Sequence, residues 1–412
     1  MIRRGFLALA LITGSTAAAP ASMEDAAMPG QLGPDPIARE SSGTSWQPDS
    51  TPMAGRMSMN GSWMTMWHGI ANLVYDDQGG PRGEHQSFSN SMLMFMALRD
   101  LPSGVLGGRI MLSADPLMGK AGYPELFQTG ESADGVHPLI DRQHPHNLLM
   151  EVSGSYSLRL SAVQAIYVYA GIAGEPALGP PAFMHRFSAE DDPEAPLSHH
   201  WLDSTHVSYG VVTGGYQWDR IKFEASAFNG REPDQNRYQV ELHALDSWSA
   251  RVSLNPSSDL SLQISMGRLA SPEQLEPSIA VRRTTASVSY DRMLSSLQWQ
   301  TTLAWGRNAP DVGAASDAWL LESALRVAAV HTVFARAERV GKDELFTPGQ
   351  PLYGPVYPIA ALSVGYVYDF AMLGPARLGV GALGTAYHYP SLLDPAYGKG
   401  PVSYLLFARL RL

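Results

Sequence analysis

The residues with chemistry to offer fall into two groups, imidazoles with carboxylates and thioethers with one imidazole. The stretch "DGVHPLIDRQHPHN" (Asp134–Asn147) carries His137, His144 and His146 beside Asp134 and Asp141. A second stretch, "MHRFSAEDDPEAPLSHHWLDSTH" (Met184–His206), holds His185, His199, His200 and His206 around Glu190, Asp191, Asp192 and Glu194. Seven of the twelve histidines thus lie in two successive segments. Imidazoles with carboxylates suit Cu(II), Zn(II) or Ni(II). No spacing matches a metal signature of the H-E-x-x-H kind, so the same residues also read as a polar loop held by internal hydrogen bonds, with Asp141, Arg142, Arg186, Asp191 and Asp192 paired. The thioether group is Met64, Met66 and His68 with Met92, Met94 and Met96, and Met53, Met57 and Met59 lie just upstream. Thioethers with imidazole suit Cu(I). Flexible Met also fills gaps in an apolar wall, which is the plainer reading. A third pattern, His206 and Ser208 two residues apart, would place both on one face of a strand. That spacing resembles the His-x-Ser pair of outer-membrane phospholipase A and lipid A deacylases, but no orienting group follows at a matching distance, and Asp203 is merely near.

What positions these residues follows from composition. The chain has 412 residues, no cysteine, 17% charged residues, 39 Gly, 17 Tyr and 9 Trp. A soluble domain carries about 25% charge. The N-terminus, "MIRRGFLALALITGSTAAAPAS", joins a basic start to an apolar run far shorter than the ~20 residues of a membrane helix. It reads as a signal peptide over residues 1–21, cleaved after Ala21. The net charge of −10 argues against nucleic acid as a partner. Residues 22–61, rich in Met, Pro, Gly and Ser without periodicity, read as a flexible or plug-like segment.

From Ser62 onward apolar and polar residues alternate. Trp248, Ala250, Val252 and Leu254 oppose Ser249, Arg251 and Ser253, and Leu297, Trp299, Leu303 and Trp305 oppose Gln298, Gln300 and Thr302. Period two means a strand with one apolar and one polar face. About sixteen such runs occur, near 62–75, 87–99, 105–113, 148–159, 163–173, 205–217, 221–229, 247–255, 259–268, 283–291, 296–307, 317–328, 331–340, 356–370, 375–389 and 401–412. Their connections alternate long and short. Long loops at one end and tight turns at the other describe a transmembrane up-and-down barrel. The sequence therefore predicts an all-β antiparallel barrel of about 14–16 strands over residues 62–412. Its last strand ends on Tyr404, Leu406, Ala408, Leu410 and Leu412 facing lipid. Charges such as Lys222, Glu224, Arg251, Arg283, Glu322, Arg326, Arg336, Glu338 and Arg409 must face the lumen, since one on the lipid face costs roughly 2–4 kcal/mol. The same alternation turns Trp63, Trp67, Leu73 and Tyr75 to lipid and Met64, Met66 and His68 inward, with Met92, Met94 and Met96 on the neighbouring strand. In the strand near 205–217 it assigns Val207, Tyr209 and Val211 to lipid.

The runs "GTSWQPDSTPM" (Gly43–Met53), "HGIANLVYDDQGGPRG" (His68–Gly83), "GYPELFQTGESADGVHPLIDRQHPHN" (Gly122–Asn147), "HHWLDSTH" (His199–His206) and "SPEQLEP" (Ser271–Pro277) resemble a group of Gram-negative outer-membrane proteins associated with copper-handling loci. The resemblance implies an outer-membrane location and a link to copper, and it supplies no ligand residues. Members of that group often carry a Met/His-rich segment after the signal peptide. This chain keeps the Met but has no histidine before His68, which weakens a role as a copper sponge.

The sequence thus predicts a non-enzymatic outer-membrane barrel that binds or passes transition metal, copper first among them. The candidate ligands are Met64, Met66, His68, Met92, Met94 and Met96 in the wall and His137, His144, His146, His199 and His200 at the mouth. A porin for small polar solutes is the alternative, and an acyl hydrolase using His206 and Ser208 a distant one. The expected partners are outer-membrane lipid and a metal ion or small polar solute. Sequence leaves the oligomeric state open.

Overall fold

The computed structural model describes residues 30–53 and 55–412, so the expected signal peptide lies outside the described residues. Its strands are β1 (Arg56–Asn60), β2 (Trp63–Asp77), β3 (His85–Leu101), β4 (Gly104–Leu112), β5 (Tyr123–Ser132), β6 (Pro138–Gln143), β7 (Leu149–Ser161), β8 (Gln164–Gly174), β9 (Ser208–Trp218), β10 (Ile221–Phe228), β11 (Ser247–Ser257), β12 (Leu260–Leu269), β13 (Val281–Leu294), β14 (Leu297–Pro310), β15 (Ser316–Val327), β16 (His331–Lys342), β17 (Tyr357–Leu373), β18 (Ala376–His388) and β19 (Val402–Arg411). Sixteen of them, β2–β4 and β7–β19, pair antiparallel in chain order. The ring closes where β19 meets β2, Arg411 opposite Ile70 and Tyr404 opposite Asp77. Closure satisfies every edge, which is what permits strands to cross lipid. Each of the sixteen runs read from alternation corresponds to one barrel strand.

The two faces separate as the pleat requires. Trp67, Leu73, Ile166, Phe223, Trp248, Trp319, Val364 and Leu406 are exposed outward, while Lys222, Arg251, Glu322, Arg336 and Arg409 are buried inside. Alternation fails at the start of β9. Tyr209 and Val211, expected to face lipid, are buried, as is Val207. Gly210 between them has φ +84°, a left-handed conformation that breaks the strand repeat.

Three segments fill the lumen. Residues 30–51, expected to be flexible or plug-like, are packed against the inward side of the wall. Gln31 donates to Ser155 on β7 at 2.5 Å, Arg251 on β11 donates to Thr44 Oγ1 at 2.9 Å, and Asn255 donates to the Gln47 carbonyl at 2.8 Å. Ser50 reaches the β11–β12 turn at Ser258 and Asp291 near the end of β13, which puts this plug at the short-turn end, the periplasmic end in barrels of this kind. The β8–β9 loop (175–207) folds inward and carries a short helix, α1 (His199–Leu202). Its acids are clamped by wall arginines: Asp192 by Arg336 at 3.1 Å, Asp191 by Arg409 and Arg326, and Glu190 by Arg326 and Arg411. Arg186 of the loop reaches Asp203 at 2.5 Å and Glu322 of β15 at 2.9 Å. These are the ion pairs that the plainer reading of the loops requires.

The third segment is the β4–β7 connection, which forms a hairpin, β5 and β6, that alternation did not reveal. Every residue of β5 is buried, so both faces are covered and no period-two signal remains. The hairpin caps the long-loop end. Phe127 anchors it, stacking on Tyr397 at 4.2 Å and packing against Tyr387 and Tyr389. Asp141 accepts from the Phe127 amide at 2.8 Å and pairs with Arg82 at 2.6 Å.

Candidate metal centres

The first centre is a wall. The pairing of β2 with β3 sets Met66 opposite Met96 and His68 opposite Met94, and β4 continues the row with Met111 opposite Met94. Successive inward residues on adjacent strands lie side by side, so one register generates a sheet of sulfur and imidazole. Met64, Met66, His68, Met92, Met94 and Met96 are all buried on the lumen side, as the alternation predicts. The apolar cluster around them also takes in Met150, Met53, Met57 and Met184. His185, from the inward loop, completes it. Its Nε2 lies 3.4 Å from Met111 Sδ, and its ring is 5.9 Å from that of His68. Met53, Met66, Met94, Met96, His68 and His185 line one cavity of ≈ 70 Å³. Burial, then the nearby His68 and Arg109, hold His185 down to about 3, so its lone pair is free at neutral pH. Met111 and Met150 escaped the sequence reading. The alternation of "GGRIML" could have found Met111, because outward Ile110 turns Arg109 and Met111 inward.

The second centre lies beneath the cap and belongs to loops. His144 follows β6, and His199 and His200 open α1. One ligand nitrogen from each lies within 4.8 Å of the others. His146 and His206 adjoin them, with ring centroids 5.2 Å apart and His206 5.1 Å from His199. His137 does not join. It is exposed on the hairpin tip and pairs with Asp134 at 2.7 Å, because "SADGVH" forms the turn between β5 and β6. His206, which stood outside the candidate metal set, takes its place in the cluster.

Hydrogen bonds fix the rings. His199 Nδ1 lies 2.7 Å from Asp203 Oδ1, His146 Nδ1 2.8 Å from Asp115 Oδ2, and His206 Nδ1 2.8 Å from the Asp203 carbonyl. An imidazole that donates through Nδ1 keeps Nε2 as a lone pair, the arrangement common to histidine ligands. Burial pushes His144 and His200 well below the ordinary imidazole range. Arg237 and neighbouring imidazoles add to this for His144, and His199, Lys342 and Arg283 for His200. Both rings are neutral at physiological pH.

The His206/Ser208 pair does not have the geometry of a nucleophile and its base. His206 sits in a turn that precedes β9, so the two do not share a strand face. Ser208 Oγ donates to the Thr205 carbonyl at 3.0 Å, and His206 spends Nδ1 on Asp203. Both are buried in the lumen, away from lipid.

With this geometry in hand, comparison with known proteins adds the fold. No protein-family model and no curated protein matches the sequence. Solved structures do. OmpF of Salmonella typhi, in complex with daunomycin, superposes with a TM-score of 0.53 at 8% identity, covering 87% of this chain and 100% of that one. OprB of Pseudomonas putida superposes with a TM-score of 0.52 at 8% identity, covering 85% and 94%. The likeness is one of fold. What the chain shares with them is the closed antiparallel barrel, and neither identity is high enough to carry a solute or a residue across.

Proposed function

We propose that this protein is an outer-membrane barrel that takes up copper in the Met/His cavity of its β2–β4 wall, without making or breaking covalent bonds. The observation that carries the reading is the convergence of Met53, Met66, Met94 and Met96 with His68 and His185 on one cavity from strands, plug and inward loop. Thioethers and imidazoles are the soft and borderline donors that suit Cu(I), and they share the cavity with Glu40, Glu151, Glu190 and Arg109. Lodging the ion beside the plug, at the short-turn half, suits transfer between lumen and periplasm. Anaerobic titration of the refolded barrel with Cu(I) against a chromogenic chelator tests this. Stoichiometric uptake that falls at least tenfold in Met94→Leu/Met96→Leu is the expected result, and uptake no tighter than by OmpF would sink the idea.

A second reading is a porin for small polar solutes, and the likeness to OmpF and OprB favours it. The ion-paired inward loop and the plug count against a wide pore, since both lie inside the barrel. Planar-bilayer recording separates the two. Steady metal-independent conductance of porin size would favour the porin.

A further inference from the structure

The histidines beneath the cap have a carboxylate partner that the metal reading of the sequence did not include. Glu232, from the β10–β11 loop, is buried beside the Ser204 hydroxyl, and among the described residues neither of its side-chain oxygens has a partner with good hydrogen-bond geometry. Its Oε2 lies 4.0 Å from His200 Nδ1, and one ligand atom each from His200, Glu232 and Glu273 falls within 4.8 Å of the others. His200 Nε2 is likewise buried without a partner. A buried carboxylate and imidazole left unsatisfied cost free energy unless something pairs them. Arg283 and Arg237 act on Glu232 only from a distance, and among the described residues no Arg or Lys forms a salt bridge with it. Arg283 donates to Ser204 at 2.9 Å and Asn308 at 3.0 Å, Arg237 is taken by Glu131, and Lys342 donates to Gln128 at 3.0 Å. The backbone is also shaped to admit His200, because a Cβ on Gly130 would fall 2.0 Å from His200 Cε1.

We propose that His144, His199 and His200 form a site for a borderline divalent cation of the Zn(II) class, with Glu232 approaching it beside His200, and that the ion latches the cap to the inward loop. Three imidazoles and a carboxylate are a zinc-type donor set, and no thioether belongs to it. Asp203 behind His199 orients that ring as an outer carboxylate does in zinc sites. The ligands come from three loops: His144 from the cap, His199 and His200 from the inward loop, and Glu232 from the β10–β11 loop. Glu273, from a fourth, stands beside them. An ion that bridges them therefore adds a tie between segments that are otherwise joined by a few hydrogen bonds, such as Leu148 N–H to the Arg237 carbonyl at 2.8 Å. The site uses none of the sulfur residues, so it stands or falls separately from the copper reading.

The test is Zn(II) titration of the full barrel, refolded in detergent and stripped with EDTA, with folding checked by heat-modifiable gel mobility. One Zn(II) per barrel is expected, with affinity reduced at least tenfold in His200→Gln and in Glu232→Gln but unchanged in Met94→Leu. Zinc-edge X-ray absorption of the wild type, which needs no variant to fold, should give a nitrogen/oxygen shell with imidazole scattering. Zinc should also slow tryptic cleavage of the cap at least tenfold. Absent stoichiometric binding, equal affinity in both folded variants, or a sulfur shell would overturn the site. Binding without protection of the cap would overturn the latch.

Discussion

The two centres are built by opposite means. The Met/His wall is a product of strand register: once β2 pairs with β3, Met66 must face Met96 and His68 must face Met94. The histidine cluster has no register behind it. His144 comes from the cap and His199 and His200 from the inward loop, and they meet where buried ion pairs hold the inward loop against the wall. The wall should therefore survive damage that scatters the cluster. A centre made by backbone hydrogen bonds is robust, and one made by side-chain clamps is conditional.

The largest effect should come from Arg186→Ala, which removes the guanidinium shared by Glu322 and Asp203 and leaves Glu322 to Arg336 and Asp203 to His199. Losing one partner of a buried pair costs about 3–5 kcal/mol. We expect a lower urea midpoint for the inward loop, measurable by Trp201 fluorescence in a background with its other tryptophans replaced, and loss of Zn(II) binding. Far-ultraviolet circular dichroism should still report an intact barrel, and loss of the barrel as well would erase the distinction between the two centres. Next is Gly130→Ala. Its added methyl collides with His200, and the φ of +116° disfavours any side chain. Zn(II) affinity should drop at least tenfold in calorimetry while Cu(I) uptake is kept. The reciprocal change is Met94→Leu/Met96→Leu. Volume is nearly conserved, so stability should fall by less than about 1.5 kcal/mol per site, yet Cu(I) uptake should be lost and Zn(II) binding retained. Equal loss of both metals would mean one connected site. The smallest effect belongs to His137→Ala. The residue is exposed at the hairpin tip, and both affinities and the melting temperature should match wild type. A measurable loss of Zn(II) would return His137 to the cluster.

Legibility in the sequence followed the same division. The inward direction of six wall residues was readable because Trp63, Trp67, Leu93 and Phe95 mark the opposite face. Where a strand is covered on both sides, as in β5, or bent by a left-handed glycine, as at Gly210, alternation disappears and the reading fails with it. Among the histidines, residue type was informative and membership was not: His137 fell outside the cluster and His206 came in. Glu232 carries no local signal at all, since "NGREPDQ" reads as an ordinary polar loop.

By itself the sequence determined the barrel, its strands and the sulfur-rich face, because a two-residue repeat against lipid leaves each side chain only two directions. Only the tertiary structure decided that plug, loop and cap fill the lumen, and which imidazoles meet a carboxylate there. Those contacts join residues far apart in the chain, and they depend on where buried arginines find their acids, which no local repeat encodes.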